Sequence, residues 1–101
     1  MFLVRYVFFL LTTSALAQTT TLTGRVADER GRPLPGANVY LRGTYDGANA
    51  DSAGRFRFTT SRRDTATLLV SFIGYEPFAK KITLVGGAQT VNATLRESAN
   101  E

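Results

Sequence analysis

The chain has 101 residues, a formal net charge of +4, and neither histidine nor cysteine. One domain is the expectation at this length. Without those two residue types, Ser-His and Cys-His catalysis, His-ligated zinc and disulfide stapling are all excluded.

The first seventeen residues read as an export signal rather than as part of the fold. Arg5 supplies a positive charge and Tyr6 to Leu11 (YVFFLL) is wholly apolar. Ala15-Leu16-Ala17 gives the small-x-small cleavage pattern ahead of Gln18. The apolar run is too short to cross a bilayer, which takes ~20 residues. Cleavage after Ala17 leaves a mature chain from Gln18 to Glu101, with no membrane span. The residue after the cleavage site is not cysteine, which rules out a bacterial lipoprotein. The remaining arginines are scattered, with no block of like charge, so nucleic acid is not an expected partner.

Residues 18–21 form a short polar linker, and β patterning follows from Leu22 to Arg96. Leu22, Gly24 and Val26 alternate with Thr23 and Arg25. Asp28 to Gly36 is a turn region in which Pro33 and Pro35 flank Leu34. Pro33 fixes its own φ, and Pro35 pushes Leu34 towards an extended backbone. Leu34 is therefore expected as a rigidly framed plug at one end of the core, and Gly36 as the close approach before the next strand. Ala37, Val39 and Leu41 alternate with Asn38, Tyr40 and Arg42. A short strand near Ala48 to Ala50 precedes the turn Asp51-Ser52-Ala53-Gly54, where an Asp at the first position and a Gly at the fourth suit a type I turn.

Arg55 to Thr59 alternates strictly, with Phe56 and Phe58 on one side, as a half-buried strand does. Ala66 to Ile73 is more continuously apolar and reads as a strand buried on both faces. Gly74 interrupts it, suggesting a bulge or close approach with Tyr75 packing across it. Phe78 to Leu84 and Val91 to Leu95 complete the pattern, separated at Gly86-Gly87; residues 97–101 form a tail. About seven short strands with turns every 8–12 residues predict an all-β, immunoglobulin-like sandwich. The predicted core is Leu22, Val26, Leu34, Val39, Leu41, Phe56, Phe58, Leu68, Val70, Phe72, Ile82 and Leu95.

Four motifs in order now carry a resemblance: G-x-V-x-D from Gly24, G-x-P-L-x-G-A-x-V from Gly31 to Val39, D-x-x-G-x-F from Asp51 to Phe56, and L-x-V-S-x-x-G-Y from Leu68 to Tyr75. Together they resemble the carboxypeptidase regulatory-like domain, a transthyretin-like sandwich. One departure is Ala48-Asn49-Ala50 ahead of Asp51, where the family usually has threonine or serine. Phe72-Ile73-Gly74-Tyr75-Glu76 resembles the version at the front of SusC-like TonB-dependent outer-membrane receptors of Bacteroidota. The resemblance implies a periplasmic domain ahead of a plug and barrel, in nutrient uptake. The chain stops about where that family's TonB box would begin, as a fragment or a free-standing relative would.

No catalytic, cofactor-binding or metal-ligating residue stands out. The motif residues Gly24, Pro33, Leu34, Gly36, Ala37, Val39, Asp51, Gly54, Phe56, Gly74 and Tyr75 read as structural. Asp28, Glu29, Asp46, Asp51 and Asp64 fall in predicted turns, where solvation is their ordinary role. Calcium at Asp46 and Asp51 would need alternating oxygen ligands and a distal Glu that the sequence lacks. Two roles remain. One is a protein-interaction module within a receptor, contacting plug, barrel or TonB-side machinery, with sheet edges able to accept another strand. The other is a free-standing carbohydrate- or protein-binding module using Tyr40, Tyr45 or Tyr75.

Overall fold

A computed structural model of the chain describes residues Thr19 to Ala99; the export signal expected at residues 1–17 lies outside the described residues. The described residues form eight strands in two four-stranded sheets. They are β1 (Thr20–Asp28), β2 (Asn38–Leu41), β3 (Gly47–Asn49), β4 (Arg55–Thr60), β5 (Asp64–Ser71), β6 (Phe78–Leu84), β7 (Gly87–Thr90) and β8 (Ala93–Leu95). The first sheet runs β4-β1-β7, with β8 continuing beside β1. The second runs β3-β2-β5-β6 and is antiparallel throughout. β1 starts at Thr20, inside the polar stretch read as a linker, because Thr20 and Thr21 pair with Thr60 and Thr59 of β4.

The core lies between the sheets and follows the two-residue period of each strand. Leu22 and Val26 of β1 face Val39 and Leu41 of β2 and Leu68 and Val70 of β5, all fully or almost fully buried. Phe56 and Phe58 of β4 join them, their ring centroids 6.2 Å apart. Ile82, Leu84, Val91, Ala93 and Leu95 close the far side. Burying a side chain of this size contributes about 1.5–3 kcal/mol. A continuous apolar interior therefore serves where a cysteine-free domain can form no disulfides.

Four expectations are corrected. The last predicted strand, Val91 to Leu95, shortens to β8, and a further strand, β7, precedes it where only a break at Gly86-Gly87 is expected. β7 begins earlier, at Gly87, and the chain steps at Val91-Asn92 before β8 resumes parallel to β1. β5 stops at Ser71 rather than Ile73 and is buried on one face only. Ala66, Leu68 and Val70 point into the core, while Thr67 and Leu69 are half-buried. The apolar outer residue Leu69 is covered by its cross-strand partner Tyr40, not by a further layer. Phe72 lies beyond the strand end, half-buried against the core edge, and not within the core. Asp64 and Thr65, read as turn residues, start β5; Asp64 has φ 68° and registers with Leu84.

Candidate interaction surface

The turns named by the sequence motifs combine local hydrogen bonds with bonds to distant strands. Leu34 is 5% exposed between exposed Pro33 and Pro35. Its N–H donates to the Val26 carbonyl at 3.1 Å, and Pro33 bridges Ala27. Gly36 donates to Ala50 and Ala50 donates to Ala37, so the β2–β3 pairing runs on past both strands. Ala37 and Val39 are wholly buried as that segment enters the core.

The Asp51 carboxylate accepts the backbone N–H groups of Ala53 and Arg55, each at 2.9 Å. Those bonds, the Arg55 one foremost, hold its carboxyl below the ordinary carboxylate range. Gly54 closes the turn at φ 80°, where a Cβ would sit 2.6 Å from the Val26 carbonyl oxygen and 3.0 Å from Pro33. Phe56 and Gly24 meet across the β1–β4 ladder.

Gly74 is not a bulge in a strand. Phe72-Ile73-Gly74-Tyr75 is a β-turn closed by the Tyr75 N–H on the Phe72 carbonyl at 3.0 Å, with Gly74 at φ 87° in the third position. That is a type II turn, which needs a positive φ there. A Cβ on Gly74 would meet nothing within 4 Å, so no ring lies over it. Tyr75 packs instead on Phe72, centroids 5.7 Å apart. The turn also clamps the chain exit. Tyr75 bridges Glu97, Glu76 donates to Arg96, and Ser98 donates to Gly74. These long-range pairings leave no local signal in the sequence.

Asp28 was read as a solvated turn residue and is 5% exposed. Its carboxylate accepts the N–H groups of Arg30 and Arg32, both at 2.9 Å, and the Arg32 Nε at 2.8 Å. The Arg32 backbone N–H contributes most to lowering its pKa, while burial opposes the shift. Thr60, another buried polar residue, donates its hydroxyl to Asp46 at 2.6 Å. The two aspartates considered for calcium thus accept hydrogen bonds from the protein itself. Among the described residues no group of three or more acidic side chains is placed to hold a metal ion.

Parts of three edge strands carry features that disfavour adding a strand. On β6 the Gln89 carboxamide accepts from the Val85 N–H and donates to the Thr83 carbonyl, which ties up the end of that edge. Lys80 shares the inward side of β6 with Phe78 and Ile82 yet stays exposed, and Lys81 follows it. Lysines on an edge, above all on its inward side, disfavour pairing. β3 has only three residues. On β4 both backbone groups of Arg55 are engaged by Asp51.

A concavity of about 600 Å³ opens over the first sheet and reaches Ala48 and Asn49 of β3 in the second. Thr23 and Arg25 of β1, Arg55 and Arg57 of β4, and Thr90 and Asn92 from the β7 side line it, with Asp51 at the rim. The Asn92 carboxamide accepts the Arg25 N–H at 3.0 Å, and the Thr23 and Thr90 hydroxyls lie 3.5 Å apart. None of the tyrosines considered as sugar platforms lines it. Tyr40 is half-buried, Tyr75 is packed on Phe72, and Tyr45 stands fully exposed elsewhere.

Residues 22–101 match the profile of the CarboxypepD_reg-like domain. The chain belongs to that family. Among curated proteins, this CarboxypepD_reg-like domain is 42% identical over 67 residues to the TonB-dependent receptor SusC of Bacteroides thetaiotaomicron. It is 35% identical over 75 residues to the TonB-dependent receptor P39 of Formosa agariphila. These matches cover 66% and 74% of the chain but only 6% and 7% of the receptors. Among solved structures, it superposes on a chain of a type II cohesin–X-dockerin complex from Acetivibrio cellulolyticus with a TM-score of 0.59 at 19% identity, covering 75% of this chain and 56% of that one. Chlorocatechol 1,2-dioxygenase from Pseudomonas putida gives a TM-score of 0.66 at 13% identity, covering 79% and 61%. At such identities the likeness concerns the sandwich alone.

Proposed function

We propose that this domain is a non-catalytic protein-interaction module on the periplasmic side of the outer membrane, acting as the N-terminal domain of a SusC-like TonB-dependent receptor for nutrient uptake. The 42% identity to SusC carries the reading. Residues 1–17 would then serve as its export signal. The non-catalytic assignment is supported by the chemistry present. The chain has no histidine or cysteine, and Asp28, Asp46 and Asp51 are occupied in holding turns and strands together. Among the described residues the hydrogen bonds of these aspartates are structural, with no Ser-His or Cys-His pairing possible in the chain.

A domain exchange tests it. SusC carrying this domain in place of its own should support uptake, while SusC with the domain deleted should not. A chimera that folds, reaches the envelope and behaves like the deletion would refute the receptor role.

A further inference from the structure

We propose that the solvent face of the β4-β1-β7 sheet docks an acidic, extended segment of a protein partner through Arg25, Arg55 and Arg57. This names the partner chemistry of the interaction role above and rests on that role. The register of β1 and β4 sets Arg25 directly opposite Arg55 and Thr23 opposite Arg57. Like charges directly opposite one another destabilise a strand pair. The ion pairs among the described residues are Arg32–Asp28 and Arg96–Glu29, so none of the three arginines has a carboxylate within 4.0 Å. The acid at the rim, Asp51, already spends one carboxylate oxygen on two backbone N–H groups. The face therefore gathers three cations around one lining carboxylate, Asp51, which the Arg55 backbone N–H and, less strongly, the Arg55 charge help to hold ionised, and that single acid offsets the repulsion only in part. A carboxylate-bearing ligand removes that repulsion when it binds.

The remaining geometry favours a peptide. Arg25 is steadied by its Nη2, which donates to the Gly31 carbonyl at 3.0 Å. Guanidinium forks suit carboxylates because both nitrogen donors can engage both oxygens. The Thr23 and Thr90 hydroxyls lie beside them as further hydrogen-bonding groups. Among the described residues no exposed aromatic lines the concavity to serve as the stacking platform usual for a neutral sugar.

The test uses the full chain and a fluorescein-labelled Glu-Ser repeat peptide of about ten residues, a length that spans roughly 30 Å when extended. Fluorescence anisotropy should show binding that weakens as salt is added. The triple variant Arg25→Gln/Arg55→Gln/Arg57→Gln should lose at least about tenfold in affinity, a difference of ~1.4 kcal/mol. The control Arg42→Gln/Arg62→Gln/Arg63→Gln removes the same charge from exposed arginines elsewhere and should stay within about twofold of wild type. Arg55→Gln alone should melt above wild type at low salt, with the gain shrinking as salt rises, since it relieves the opposed pair. Equal losses in the two triple variants would overturn the proposal, as would a lower melting temperature for Arg55→Gln. So would arginine-dependent binding of a sulfated oligosaccharide with none of the peptide. A working SusC chimera with no peptide binding would reject this face alone. Peptide binding with a failed chimera would reject only the receptor role.

Discussion

Replacing Gly24 by alanine should destabilise the domain, although alanine suits a strand better than glycine. Gly24 lies in β1 on the inward side, between Leu22 and Val26. A Cβ built there overlaps the Val91 carbonyl oxygen, comes within 2.7 Å of the Val91 carbonyl carbon, and lies 2.8 Å from Phe56 Cζ. The ring can tilt, but the peptide is pinned on both sides. The Val91 N–H donates to Thr23 at 2.8 Å, and the next side chain, Asn92, accepts from Arg25. Forcing one methyl group into a packed core costs about 1–3 kcal/mol. Losing the Val91–Thr23 bond would add about 0.5–1.5 kcal/mol. The entropy advantage of alanine over glycine returns about 0.5–1 kcal/mol. The net loss is about 1–3 kcal/mol. In a domain of this size 1 kcal/mol moves the melting temperature by about 4–8 °C, so a fall of roughly 5–20 °C is expected. Urea unfolding and a thermal melt both read it. An alanine variant that melts at or above wild type would refute the close approach of β1 and the Val91 peptide.

Phe56→Ala should cost about 3–5 kcal/mol, and Arg57→Ala on the opposite face should stay within ~0.5 kcal/mol of wild type in denaturant unfolding. Equal losses would contradict the alternation of β4. At Gly74 there is space but a left-handed backbone, so alanine should cost about 1–2 kcal/mol, valine more and asparagine least; equal melting of all three would show that the turn relaxes. Asp28 and Asp51 have folded-state pKa values held below their unfolded values. Their contribution is complete above the ordinary carboxylate range of ~4 and is lost as pH falls through the depressed folded values. Asp28→Asn should therefore flatten the acid limb of a stability-versus-pH curve, and an unchanged limb would count against the role of this carboxylate. EDTA should leave the melting temperature unchanged, and a fall of several degrees would return calcium to Asp46 and Asp51.

The sequence by itself determined what short-range physics controls. The alternation of Arg55 to Thr59 can bury only one face, so Phe56 and Phe58 had to point inward whatever they packed against. The spacing Pro33-Leu34-Pro35 restricts three consecutive residues to a narrow range of backbone angles, which fixes an extended Leu34 locally before β1 seats it. Asp51 and Gly54 close their turn through atoms at most four residues apart. Tertiary structure decided what depends on partners far along the chain. Phe72-Ile73 looks like the end of a buried strand, but the turn that removes it from β5 is locked by bonds to Arg96 and Ser98. The step between β7 and β8 exists because Val91 and Asn92 bond to β1, nearly seventy residues earlier. Arg25 and Arg55 read as scattered surface charge until the register of β1 and β4 sets them face to face. Strand register is fixed by burying one face of each sheet against the other, and that burial is a property of the assembled sandwich, not of any window of sequence.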